Sequence, residues 1–226
     1  MKYTYLLINI FTIIGPLLGS FERRVNFKAK WKYAFTANLI VAIPFLIWDT
    51  FFTKYGVWGF NPEFYLGIEL AGMPIEEWLF FFTVPFACLL IYETVCTLRP
   101  TPNVSKASLQ IGTIAGAVLL LLAIIFRNQI YTVVGFSLAG LLLLSHGLIF
   151  KRSYFSNFLI AFLIHLIPFF IVNGILTYLP VVWYNDAENF GVRIATIPIE
   201  DAVYSLLLLL GNVTIYEGLL RRENSR

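Results

Sequence analysis

"GMPIEEWLFFFTVPFACLLIYE" runs from Gly72 to Glu93, and "TIPIEDAVYSLLLLLGNVTIYE" runs from Thr196 to Glu217. Each sets a proline and two adjacent acids at the mouth of a long apolar run, and each closes on the triplet IYE. One constant shift of 124 carries Pro74, Glu76, Glu77, Tyr92 and Glu93 onto Pro198, Glu200, Asp201, Tyr216 and Glu217. The same shift maps "IPFLIWD" (Ile43 to Asp49) onto "IPFFIVN" (Ile167 to Asn173), Asn61 onto Asn185, and Gly67 onto Gly191. An ungapped match of this extent marks an internal repeat.

Composition sets the medium. The 226 residues are 59% hydrophobic and 13% charged, with a mean hydropathy of +0.79. A soluble domain of this composition would leave too much apolar surface in water. Seven apolar stretches approach the roughly 20 residues that cross a bilayer. They lie near 3–20, 32–49, 77–98, 107–126, 130–150, 154–178 and 199–220. The first carries only Lys2 at its start and ends in "GSFERR" rather than a cleavage site, so it reads as a helix of the mature protein. The expected fold is an all-α membrane protein of seven transmembrane helices.

Basic residues fix an expected orientation. Arg23, Arg24, Lys28, Lys30 and Lys32 follow the first span, Arg99 and Lys106 the third, Lys151 and Arg152 the fifth, and Arg221, Arg222 and Arg226 the seventh. By the positive-inside rule these segments are cytoplasmic, with the N-terminus outside and the C-terminus inside. Asp49, Glu63, Glu69, Asp186 and Glu188 fall in the opposite loops. A net charge of +3 in short loops indicates topology rather than a nucleic-acid surface.

The repeat divides the chain into a first three-helix unit (1–98), a linking helix (99–126) and a second three-helix unit (127–226). One linking crossing makes the units parallel, related by a pseudo-two-fold axis along the membrane normal. Both acidic motifs then lie at one depth on the outer side.

Acids in a first helical turn suit the helix dipole, and that is their structural reading. Two copies at matched depth favour a second reading, in which Glu76, Glu77, Glu200 and Asp201 form an intramembrane carboxylate cluster. Burial beside Trp78, Phe80, Phe81 and Tyr204, with repulsion between neighbouring acids, favours a protonated member. That member is a general acid, and an ionised neighbour is a general base. Trp48, Asp49, Trp58, Phe60, Trp78, Phe81 and Tyr204 are candidate substrate-binding residues, because aromatic faces attract cations. Glu93 and Glu217, about 25 Å further along their helices, read as interhelical partners of Tyr92 and Tyr216 or as contacts for the far end of a long substrate. Cys88 and Cys96 are too far apart on one helix to bridge.

The doubled "PIEE" and "PIED", with "WDTFFTKYGVWGFNPEF" ahead of the first, resemble the membrane-integral lycopene cyclase domains of carotenoid biosynthesis in their fused, two-module form. The resemblance covers nearly the whole chain. It implies a lycopene β-cyclase, an isomerase that closes linear ψ end groups into rings by protonation, carbocation cyclisation and proton loss. It places the motif acids at Glu76, Glu77, Glu200 and Asp201, with Glu76 or Glu200 as donor. It implies a lycopene substrate taken from the lipid phase, contacts with membrane lipids and association with other carotenoid enzymes, while the short loops fit a prokaryotic plasma membrane. The repeats differ, since Trp48, Asp49, Trp58 and Trp78 become Val172, Asn173, Val182 and Ala202, so one pocket is expected rather than two.

No G-x-G-x-x-G fingerprint occurs, and no cofactor is expected. His146 and His165 stand on apolar segments without a ligand cluster, so no metal is expected either. Two other readings remain open. "NDAEN" (Asn185 to Asn189) faintly resembles the diphosphate site of a membrane prenyltransferase, and a seven-helix bundle could bind a carotenoid without changing it.

Overall fold

The computed structural model describes residues 1–101 and 103–224. Pro102, Ser225 and Arg226, the last of them among the basic residues read as cytoplasmic, lie outside the described residues. The helices are α1 (Thr4–Gly19), α2 (Trp31–Lys54), α3 (Ile75–Leu98), α4 (Lys106–Ile125), α5 (Ile130–Leu144), α6 (Tyr154–Tyr178) and α7 (Ile199–Asn224). Among the described residues six helical stretches are long and apolar enough to cross a membrane, while α1, with 16 residues, is shorter. Ile114, Ile124, Leu163 and Ile167 are exposed on the outside of the bundle, as expected of surfaces solvated by lipid.

Two departures from the expected spans bear on function. The second span continues to Lys54, so Asp49 is not a loop residue but a buried residue of α2. The helix can carry it because the Tyr204 hydroxyl donates to Asp49 Oδ1 at 2.7 Å, giving the carboxyl a partner away from water. The fifth span changes at Leu144, and Ser145–Phe150 form a wider π turn. His146 Nδ1 lies 2.9 Å from the Leu142 carbonyl there, and a side chain entering the backbone ladder is a common origin of such a turn.

Short strands close one end of the bundle: β1 (Trp58–Phe60), β2 (Glu69–Leu70), β3 (Met73–Pro74), β4 (Val182–Tyr184), β5 (Arg193–Ile194) and β6 (Ile197–Pro198). Backbone bonds recur at the shift seen in the sequence. Val57 N–H donates to Phe52 O at 2.9 Å and Val181 N–H to Leu176 O at 2.8 Å. Ile75 N–H donates to Ile68 O at 2.9 Å and Ile199 N–H to Val192 O at 3.0 Å. Between β1 and β4 the bonding is reciprocal, because Gly59 stands opposite Trp183, its own counterpart. Asn61 N–H donates to Val181 O at 3.0 Å, and Asn185 N–H returns a bond to Val57 O at 2.9 Å.

At the other end, Tyr92 donates to Glu217 Oε1 and Tyr216 to Glu93 Oε1, each at 2.5 Å. Lys30 Nζ lies 2.6 Å from Glu93 Oε2, so both matched glutamates are engaged in ties between helices. The buried core above them joins Phe86, Leu89, Phe155, Phe158, Leu210 and Val213.

α4 and α5 approach so closely that a Cβ on Gly116 would stand 2.8 Å from Gly140 O, and one on Gly140 would stand 2.9 Å from Gly116 O. Backbone lies on both sides of the contact, so no side chain can rotate away. Gly140→Val is expected to destabilise the protein by about 1–3 kcal/mol, read as a lower thermal midpoint in detergent. An unchanged midpoint would contradict the close helix contact.

Candidate active site

The acidic motifs are presented by hairpins. In β2–β3, Ala71 (φ 56°) and Gly72 (φ 78°) both take left-handed conformations, the pattern of a tight two-residue turn that returns the chain to the start of α3. Pro74 is the residue just before α3 rather than within its first turn, and Glu76 and Glu77 follow inside that turn. β5–β6 delivers Glu200 and Asp201 to α7 from the corresponding hairpin, where only the first turn residue, Ala195 (φ 55°), is left-handed.

Neighbouring residues on a helix diverge by about 100°, so the two acids of each motif face different surroundings. Glu76 Oε1 accepts from the Leu66 N–H at 2.9 Å, and Glu200 Oε1 accepts from the Phe190 N–H at 2.5 Å. These two acids therefore hold the loops ahead of their own hairpins. Thr132 adds a 2.6 Å bond to Glu200 Oε1. Glu76 Oε2 and Glu200 Oε2 are buried without a hydrogen-bond partner among the described residues.

Glu77 and Asp201 turn the other way and line one chamber. Its space, counted to its open mouth, is about 690 Å³. Asp49 joins them, making three carboxyls around a lining that is otherwise mostly aromatic and aliphatic. Every one of them meets a phenol. Tyr5 donates to Glu77 Oε2. Tyr131 donates to Asp201 Oδ1 at 2.8 Å and Tyr184 to Asp201 Oδ2 at 2.7 Å. Burial first, then the Asp201 carboxylate, push the Tyr184 phenol well above its ordinary range, so it remains a donor.

A family model described as Lycopene cyclase matches residues 2–95 and 128–219, two segments that together make up most of the chain. The chain belongs to the lycopene cyclase family. Curated proteins and solved structures gave no match. Both matched segments bring acids to the chamber, Asp49 and Glu77 from the first and Asp201 from the second. Membership in the lycopene cyclase family implies an enzyme that acts on a carotenoid in a membrane.

The remaining candidates divide around this chamber. Trp58, Phe60, Phe81 and Tyr204 line it. Trp48 does not; it stacks behind Tyr204, with ring centroids 4.9 Å apart. Trp78 is half-buried outside the chamber and donates its indole N–H to Leu70 O at 3.1 Å, pinning the first hairpin. Glu93 and Glu217 lie at the opposite end of the bundle in their crossed bonds with Tyr216 and Tyr92.

Sequence reasoning named Tyr204 but missed the other three phenols. Tyr5 and Tyr131 are counterparts, since Tyr5 N–H donates to Phe64 O at 3.0 Å and Tyr131 N–H to Glu188 O at 2.9 Å. Their spacing is 126, not 124, so a search at one constant shift passes over them. Tyr184 escapes because its counterpart is Phe60, which has no hydroxyl. The histidines are hydrogen-bonded. His165 spans Cys88 Sγ (3.0 Å) and Ser205 Oγ (2.9 Å), and His146 Nε2 lies within 3.1 Å of the Tyr154 and Thr214 hydroxyls.

Proposed function

We propose that the chain is a lycopene β-cyclase, an isomerase in which Glu77 donates the initiating proton and Asp201 receives the final one. The observation that carries this reading is the pairing of two buried carboxyls, one from each half, in a single aromatic chamber with unequal donor sets. Asp201 accepts from two phenols, an environment suited to a carboxylate. Glu77 accepts from one phenol on Oε2, which leaves Oε1 to carry a proton toward substrate.

The chemistry balances without any external reagent. The Glu77 proton adds to the terminal double bond of the ψ end group and leaves a tertiary cation. The π electrons of the next double bond in reach close the ring and move the cation to its neighbouring carbon. Loss of an adjacent ring proton to Asp201 makes the ring double bond. Trp58, Phe60 and Phe81 offer π faces to the passing cation, and exclusion of water protects it from capture. Asp49, held by Tyr204, adds a third carboxyl at the chamber wall. Glu76 and Glu200 are positioning residues that set the loops over the chamber. Return of the proton from Asp201 to Glu77 resets the site.

The arrangement we infer is two parallel three-helix repeats, 1–98 and 127–226, joined by a linking helix over 99–126, with all seven helices crossing the bilayer. The reciprocal β1–β4 bonds and the crossed tyrosine–glutamate bonds support a two-fold relation between them. The basic segments support an N-terminus outside and a chamber near the outer face of a prokaryotic plasma membrane. The diphosphate reading of "NDAEN" is disfavoured. Asp186 is bonded by Arg193 and by Asn189 Nδ2 at 3.2 Å, and the Arg193 hydrogen bond holds its carboxyl below the usual range.

The test is pigment chemistry. Expressed in cells that accumulate lycopene, the chain is expected to convert it to carotenoids with β rings. Unchanged lycopene beside correctly inserted protein would sink the proposal.

A further inference from the structure

A second cavity lies on the outside of the bundle, between α2 and α5 with α7 as its floor. Pro44, Trp48, Val134, Leu138, Leu141 and Leu207 line it, and its space is about 1160 Å³ counted to the open side. The lining is hydrocarbon apart from the Trp48 indole and Ser145, whose hydroxyl is already bonded to Leu142 O at 2.7 Å. Nothing polar is offered to a ligand, since the Trp48 indole nitrogen is itself buried.

The wall between this groove and the chamber is two rings thick. On the groove side stand Phe45, Trp48 and Phe52; on the chamber side stand Tyr204 and Trp58. Trp48 and Phe45 lie 4.9 and 5.0 Å from the Tyr204 ring, and Phe52 lies 5.0 Å from Trp58, centroid to centroid. Gly135 on α5 faces Trp48, and a Cβ there would stand 3.9 Å from the indole, an ordinary contact. The wall belongs to one half of the molecule only, because the counterparts of Trp48 and Phe52 are Val172 and Leu176.

The chamber alone is too short for the substrate class. From Glu77 to Val84 along α3 it extends about 10 Å, whereas a carotenoid is a rigid chain comparable to the roughly 30 Å hydrocarbon layer. The groove supplies about 16 Å more along α5, from Val134 to Ser145. We propose that the α2–α5 groove binds the polyene chain of the carotenoid while one end group passes Trp48 into the chamber. This rests on the cyclase reading given above. A flat, rigid polyene gains stacking area on Phe45, Trp48 and Phe52 at little entropic cost, whereas a flexible acyl chain must be ordered to do the same. The groove thus leads sideways from lipid toward the chamber, and Trp48 with the Tyr204 ring behind it must move for the end group to enter.

The test has two independent readouts. A benzophenone amino acid placed at Leu138, in membranes carrying lycopene, is expected to crosslink to the carotenoid; one placed at Ile114, exposed on α4, is not. Crosslinks at Leu138 to phospholipid acyl chains alone would overturn the proposal. For activity, Leu138→Trp fills the groove from a lipid-facing position. It should raise the KM for lycopene at least tenfold, yet leave unchanged the cyclisation of a short isoprenoid that has the same ψ end group and stops within the chamber. Wild-type KM for lycopene in that variant would also overturn it. Carotenoid crosslinking in a protein that cyclises neither substrate would keep the groove and remove the cyclase reading, so the two failures are distinguishable.

Discussion

Glu77→Gln is expected to leave the protein inserted and folded and to lower lycopene cyclisation by about 10²- to 10⁴-fold, the range contributed by a positioned general acid. The amide oxygen can still accept the Tyr5 hydroxyl bond, so the packing survives and only the proton is lost. Asp201→Asn should fall in the same range, because an amide retains oxygen for Tyr131 or Tyr184 but cannot take a proton from the ring-closed cation. Glu76→Gln gives the contrast. Its amide oxygen still accepts the Leu66 N–H, and cyclisation should stay within about tenfold of wild type, since only a positioning bond is altered. Product formation per inserted protein, measured in membranes, separates these outcomes. A dead Glu76→Gln beside an active Glu77→Gln would reverse the assignment.

The second large effect is expected from removing both phenols on Asp201 together. A hydrogen bond to a charged group contributes about 1.5–3 kcal/mol, so Tyr131→Phe with Tyr184→Phe strips about 3 kcal/mol or more from the carboxylate that takes the final proton. Destabilising the anion leaves Asp201 protonated before the final step, and since each 1.36 kcal/mol is tenfold in the ionised fraction, cyclisation should fall at least about 10²-fold. Each single variant should lose less, because one donor remains. The rings are otherwise preserved, and the stacked pair Tyr131 and Tyr184, with centroids 6.3 Å apart, keeps its packing. Single-turnover rates of the two single variants and the double variant test this. A double variant at wild-type rate would mean that Asp201 does not work as the base.

Most of the fold was legible because lipid imposes it. Apolar runs long enough to span must be helical, and the observed helix ends fall close to the expected spans. Asp49 was misplaced because its charge suggested a loop, whereas a tyrosine 155 residues away satisfies it inside the helix. The acids of the site were legible through the shift of 124, but their division of labour was not. The roles of Glu76 and Glu77 part only by helical phase, which becomes meaningful once the loop carrying Leu66 is folded against α3. Tyr5 and Tyr131 sit on the helix pair that breaks the constant shift, and Tyr184 departs from its counterpart. Trp48 was legible as an aromatic near the site, but not as part of a wall, since that depends on how α2 and α5 stand apart.

The central claim is that the chain's own buried acid supplies the proton that closes the ring. Purified protein equilibrated in deuterium oxide, then mixed with lycopene under single-turnover conditions without added nucleotide, flavin or metal, tests it most directly. The account predicts cyclised product carrying one deuterium for each ring formed, with that product lost in Glu77→Gln. Rings formed without deuterium, or undiminished labelled product from Glu77→Gln, would contradict it.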